Sequence, residues 1–147
     1  MDLVRVAIVD DHEAVRLGFA GSCEEYGFEL VGSAATVPEL LEQMHQQDCA
    51  VVVTDLSLAD GSLVSENVER LVNAGSAVLI FSIADKPSLM RAALRAGATA
   101  IVPKSRPMHE LAEAIRLSAE GVIINNPETS AMIDADLTFK EASLSAR

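Results

Sequence analysis

A chain of 147 residues with 50% hydrophobic content suits one well-buried core and a tail better than two domains. Its formal net charge of -11, from 11 basic and 22 acidic residues, argues against this segment neutralising a phosphate backbone or an anionic membrane surface. Cys23 and Cys49 lack metal-ligand spacing and read as buried thiols of a reducing compartment. No apolar leader and no run of the roughly 18 apolar residues a span needs is present, which predicts a cytoplasmic protein without membrane segments.

Along the chain, short apolar runs alternate with segments of helical spacing. The run Leu3 to Val9 ends on Asp10 and Asp11 and gives way to Val15, Phe19 and Cys23 at helical intervals. Phe28 to Ala34 leads to Leu40, Leu41 and Met44, and Ala50 to Thr54 ends at Asp55 before Val64, Val68 and Leu71. Ala77 to Ser82 precedes Leu89, Ala93 and Ala96, and Thr99 to Pro103 precedes Lys104 and then Met108, Leu111, Ala112 and Ile115. The runs are rich in Val, Ile and Ala, as strands covered on both faces should be. Pro38 and Pro87 fall near helix starts, and Gly27, Gly75, Gly97 and Gly121 follow helices, where each residue type fits the backbone best.

Five strand–helix repeats predict an α/β fold, a doubly wound parallel sheet joined by right-handed crossovers. The commonest order for five strands, 2-1-3-4-5, places a ligand crevice at the carboxyl ends of strands 1 and 3. After Gly121 the pattern changes, and a short helix from Pro127 to Ile133 followed by a linker is expected.

Asp10, Asp11, Asp55, Ser82 and Lys104 therefore share one sheet edge. Each alone has an ordinary explanation: Asp11 as a helix cap, Asp55 and Ser82 in side-chain turns, Lys104 as a solvated lysine. Together they pose an electrostatic problem. At an effective dielectric of about 20, two carboxylates roughly 4 Å apart repel by about 4 kcal/mol. A proton or Lys104 could relieve part of this; a hard divalent cation does so best, and magnesium leaves positions open for phosphate oxygen. With Lys104 and Ser82 opposite the metal, the set is equipped for phosphoryl transfer, with Asp55 the nucleophile that forms an aspartyl phosphate and Asp10 and Asp11 the metal holders.

From Leu3 to about Ala119 the sequence resembles the receiver domain of bacterial two-component response regulators. The resemblance rests on "VAIVDDHEAVRLGF", "VVVTDL", "VLIFSI" and "AGATAIVPKS". "DDHEAVRLGF" is similar to the NarL/LuxR branch, whose output domain is a helix-turn-helix. The resemblance implies a flavodoxin-like (βα)5 receiver over residues 1–121, and a segment 122–147 leading toward a helix-turn-helix domain that alone contacts DNA. It implies a phosphohistidine of a sensor histidine kinase as donor and a homodimer on activation. Magnesium would be bound by Asp10, Asp11, Asp55 and the carbonyl of Ser57, and the phosphoryl group contacted by Lys104 and Ser82. The closing residues Leu144, Ser145, Ala146 and Arg147 are similar to the opening of such output domains, so the chain is expected to stop at their threshold.

Three positions depart from the family pattern. Ala59 stands where proline is usual, Leu63 where glycine is usual, and Ile101 where an aromatic residue commonly follows the hydroxyl. They leave the loop after Asp55 and the usual coupling route open, and with them a receiver that works without phosphate. A magnesium-dependent phosphohydrolase using an aspartate nucleophile is the enzymatic alternative. It wants a general acid two residues after the nucleophile, where this chain has Ser57, which is poorly suited near neutral pH. Ser57 and Ala84 are expected to flank the path of attacking water. His12, His45 and His109 are not spaced as a ligand cluster and read as helix-surface residues.

Overall fold

The computed structural model describes residues 3–45 and 47–124. The strands are β1 (Val4–Val9), β2 (Phe28–Ala34), β3 (Val51–Thr54), β4 (Ala77–Ser82) and β5 (Ala100–Pro103). The helices are α1 (Glu13–Cys23), α2 (Val37–Gln43), α3 (Val64–Asn73), α4 (Pro87–Ala96) and α5 (Met108–Ala119). All strands pair in parallel in the order β2-β1-β3-β4-β5, as the alternating pattern predicts. The expected segment Pro127 to Ile133 and the linker beyond it lie outside the described residues. Three strands begin one residue later than the sequence suggests. Leu3 carries no strand assignment, while the amides of Ala50 and Thr99 reach the neighbouring strands at Arg5 O (2.9 Å) and Val78 O (2.8 Å), just outside the regular ladder.

Period-two alternation sorts the strand side chains between two cores. Val6, Ile8, Val51, Val53 and Leu79 pack under α1 and α5 with Phe19, Leu111 and Ile115. Ala7, Val9, Val52, Val78 and Ile80 pack under α2, α3 and α4 with Leu40, Leu71 and Met90. Both faces are dry, which is why these strands read as unbroken apolar runs. Polar groups within the core are paired at Thr99 and Ser76: Thr99 Oγ1 bonds Val78 O at 3.1 Å and lies 2.8 Å from Ser118 Oγ, and Ser76 Oγ donates to Cys49 O at 2.9 Å. Cys23 and Cys49 are free and buried, and burial pushes both thiols up to about 11.

Helix starts follow local chemistry. Thr36 caps α2 by accepting from the Glu39 amide at 3.2 Å, half of a capping box with acidic Glu39 in the first turn. Pro87 opens α4, and Gly97 closes it in the left-handed conformation at φ 117°, which lets the Ala98 amide reach Ala93 O at 3.0 Å. The β1–β2 register shifts between Val6 and Ala7, whose partners are Leu30 and Gly32. At Gly32 a Cβ would stand 2.6 Å from Leu40 Cδ1 and 3.3 Å from Met44 Cγ, so its missing side chain is what lets α2 lie against β2.

Two glycine substitutions should therefore act in opposite directions. G32A overpacks the α2–β2 contact and should lower stability by about 1–3 kcal/mol. G21A lies in α1 with nothing within 4 Å of the added carbon, and should raise stability by about 0.5–1 kcal/mol. Urea denaturation of both variants beside wild type checks the pair.

Candidate functional site

The ends of four adjacent strands deliver the polar residues. Backbone bonding continues one rung past the regular strands: Asp10 N donates to Ala34 O at 3.0 Å, Asp55 N to Val9 O at 3.2 Å and Lys104 N to Ser82 O at 2.7 Å. Each of these three residues thus leaves a backbone fixed by the sheet, which is the rigid support such a site needs. Arg16, one turn into α1, adds a clamp by donating to the backbone carbonyl of Asp10 at 2.6 Å.

Lys104 is the centre of the arrangement. Its Nζ lies 2.8 Å from Asp10 Oδ2 and 2.9 Å from Asp55 Oδ2, with the Lys104 side chain 16% exposed. Asp10 is 1% and Asp55 8% exposed, so the two ion pairs are largely shielded from solvent. Burial pulls the Lys104 pKa down, but the hydrogen bonds and charges of Asp10 and Asp55 outweigh it, leaving the pKa above the ordinary 10.5. The reading of Lys104 as a solvated lysine is excluded by this geometry.

The two members of the acidic pair differ. Asp10 Oδ1 accepts from the His12 amide at 2.9 Å and faces His12 Nδ1 at 2.8 Å, so both Asp10 oxygens are engaged. Asp11 Oδ1 is buried and has no hydrogen-bond partner, although His12 Nδ1 stands 3.6 Å away. Asp11 does not cap α1; the N-cap residue is His12, whose side chain makes no cap bond. Asp55 Oδ1 accepts from the Leu56 amide at 2.7 Å, leaving Oδ2 toward Lys104.

Ligand atoms of Asp10, Asp11, His12 and Asp55 all lie within 4.8 Å of one another. Three carboxylates face one lysine, so negative charge remains in excess, and the unpartnered Asp11 oxygen is the atom a cation would satisfy. This mainly hard-oxygen donor set fits magnesium. His12 was not legible as a member of this group. Its nitrogen joins the cluster because the chain turns at the start of α1, whereas His45 and His109 are exposed as expected.

Ser82 and Ser57 are placed differently. Ser82 is buried at the end of β4, and its Oγ accepts from the Ala84 amide at 3.3 Å, a local turn of the kind its sequence position allows. Ala84 holds φ at 58°, a left-handed conformation that disfavours any residue with a Cβ. Ser57 is exposed and its Oγ accepts from Lys86 Nζ at 3.3 Å. The loop from Ser57 to α3 has a definite shape without the usual proline. Asp60 Oδ1 takes the amide and hydroxyl of Ser62 at 3.0 and 2.6 Å, and Asn67 Nδ2 donates to Ser62 Oγ at 2.9 Å. Leu63 is exposed at the N-cap of α3, where no glycine conformation is required, its φ being -80°. Ile101 is buried in the core beneath α4.

A doubly wound five-strand sheet with a lysine bridging two buried aspartates at its carboxyl edge defines a class of signalling domain. The chain belongs to the response regulator receiver domain family, which it matches over residues 6–116. It is 30% identical over 134 residues to the transcriptional regulatory protein UhpA of Salmonella typhimurium, covering 90% of this chain and 67% of that protein. It is 25% identical over 128 residues to the response regulator protein VraR of Staphylococcus aureus, covering 85% of this chain and 61% of that one. A solved two-component response regulator of the LuxR family from Aurantimonas superposes with a TM-score of 0.79 at 27% identity, over 93% of this chain and 99% of that chain. Among the described residues no helix is long and apolar enough to cross a membrane.

The Lys104 bridge has a measurable pH signature. K104M leaves two buried carboxylates facing each other and should cost about 3 kcal/mol at neutral pH. A lysine whose pKa is raised on folding contributes stability fully present below its unfolded value of 10.5, lost as pH rises through the folded value. The gap between wild type and K104M in denaturation free energy should accordingly hold up to about pH 10.5 and narrow above it.

Proposed function

We propose that this receiver is a phosphorylation switch in which Asp55 accepts a phosphoryl group in a magnesium-dependent reaction. The observation that carries the reading is the placement of Asp55 Oδ2 beside Lys104 Nζ at 2.9 Å, within the cluster of Asp10, Asp11 and His12. A carboxylate oxygen of Asp55 bonds to phosphorus as the P–N bond of a sensor kinase phosphohistidine breaks; the electron pair leaves with the imidazole, which takes up a proton. Lys104 and the Ser82 hydroxyl receive the phosphoryl oxygens, and Lys104 neutralises part of their charge without further reorganisation. Asp11, Asp10, Asp55 and the Ser57 carbonyl would hold magnesium, which would supply neutralisation of the charge on the phosphoryl group.

Residues 1–121 are the receiver in this reading, and 122–147 lead to a helix-turn-helix output domain that carries the DNA contact, the net charge of -11 over the 147 residues being unsuited to it. Phosphorylation favours a homodimer and so changes transcription. The chain acts as a self-phosphorylating signalling module. A turnover phosphohydrolase is disfavoured because Ser57, where a general acid is wanted, is a hydroxyl bonded to Lys86. The relatives are likewise regulators by name.

Intact-mass spectrometry after incubation with acetyl phosphate and magnesium tests the acceptor. Wild type should gain one phosphoryl group, with acetate leaving, while D55N and metal-free samples should gain none. Wild type that stays unmodified under trapping conditions would point to a receiver signalling without phosphate.

Magnesium alone should raise the melting temperature by relieving carboxylate repulsion, with the rise reduced in D11N. A flat melting curve across the titration would refute the metal assignment.

A further inference from the structure

Lys86 belongs to the β4–α4 loop and is the residue immediately before Pro87, at the N-cap of α4. Its side chain crosses to the neighbouring β3–α3 loop and donates from Nζ to Ser57 Oγ at 3.3 Å. β3 and β4 are paired, Thr54 opposite Ile80, so the loops that follow them leave the same sheet edge side by side. Asp55 and Ser82 sit at the roots of these two loops, and the Lys86–Ser57 bond bridges the gap between the loops.

We propose that Lys86 is a positioning residue that gates access to Asp55 by holding Ser57 across this gap. The inference rests on the phosphoacceptor reading of Asp55. In-line displacement at phosphorus requires attacking and leaving groups on opposite apices. During loading Asp55 attacks and the donor's leaving group departs along the outward apex. During decay water enters along that same apex, its oxygen bonds to phosphorus, the P–O bond to Asp55 breaks, and inorganic phosphate leaves as the proton passes to solvent. A closure across the outer apex therefore slows both directions of traffic. An ammonium acting only as an attractor for the anionic donor behaves otherwise, since its removal slows loading.

The bond is a single exposed one, so its effect on rates is small, about three-fold. The full chain is loaded with acetyl phosphate and magnesium, and adduct growth and decay are followed by intact mass in wild type, K86M, K86R and S57A. Lys86 and Ser57 are both exposed, and melting temperatures should be unchanged. K86M and S57A should each load and decay faster by similar factors, K86R should restore wild-type rates by retaining donor and charge, and the K86M/S57A double variant, followed in the same way, should be no faster than K86M. The S57A change keeps the backbone carbonyl and removes only the hydroxyl. Slower loading with unchanged decay in K86M would assign an attractor and overturn the gate, as would unchanged rates or K86R behaving like K86M. Wild type that forms no adduct overturns the phosphoacceptor reading itself and the gate with it, whereas normal wild-type loading with indifferent variants overturns the gate alone.

Discussion

Three carboxylates at one edge of a parallel sheet constrain everything built around them. Strands in a sheet lie about 4.8 Å apart, so the end of β5 is roughly 10 Å from that of β3 and roughly 14 Å from that of β1. A residue following β5 meets Asp55 and Asp10 only if it is long, cationic and aimed back across the end of β4. Lys104 does this, and its amide bond to Ser82 O at 2.7 Å fixes the point from which it reaches. The order β2-β1-β3-β4-β5 is thus as much a part of the site as the side chains are. A strand order that moved β5 further from β3 would leave the two aspartates without their common partner and with several kcal/mol of repulsion between them.

The same constraint explains why Asp10 and Asp11 are not interchangeable. Asp10 continues the β1 ladder, is fully enclosed, and has its oxygens bonded by His12 and Lys104 with Arg16 on its carbonyl. Asp11 begins the turn into α1, is a quarter exposed, and keeps an oxygen without a donor. One carboxylate is a structural anchor for the lysine, and its neighbour is left with coordinating capacity. Where the strand stops decides that Asp10 also anchors the lysine while Asp11 keeps an open oxygen.

Much of this was legible in the sequence because the period-two and helical patterns are strong and the turn residues fall between them. The strand ends placed Asp10, Asp55, Ser82 and Lys104 on one edge without any knowledge of contacts, and the order of the sheet followed from the number of repeats. What pattern could not supply was the role of residues whose partners are distant in sequence or set by a loop. His12 looked like a helix-surface residue, yet as an N-cap its backbone turns the ring onto Asp10. Ala59 and Leu63 cast doubt on the loop after Asp55, but Asp60, Ser62 and Asn67 hold that loop by side-chain bonds, a solution with no fixed sequence signature. Lys86 carried no signal, because its partner Ser57 is 29 residues away.

Ile101 bears on how a change at the acceptor reaches the rest of the fold. It is packed in the core with Met90 and Ala93 of α4, and a branched aliphatic side chain so enclosed has no exposed position to swing into without leaving a cavity. The shorter physical connection is the backbone. From Ser82 the chain passes Ile83, Ala84 and Asp85 and reaches the α4 N-cap at Lys86. The Ser82 hydroxyl is already the acceptor for the Ala84 amide, and Ala84 is held in a left-handed conformation that costs about 1 kcal/mol relative to an ordinary one. In the proposed switch, a displacement of that hydroxyl would remove the bond opposing the strain and free the loop that sets where α4 begins. Because Lys86 is also the residue that reaches Ser57, the N-cap of α4 and the β3–α3 loop share one side chain. In the proposed switch, coupling between Asp55 and α4 would need no aromatic relay, because the loop that begins at Ser82 is the loop that starts the helix.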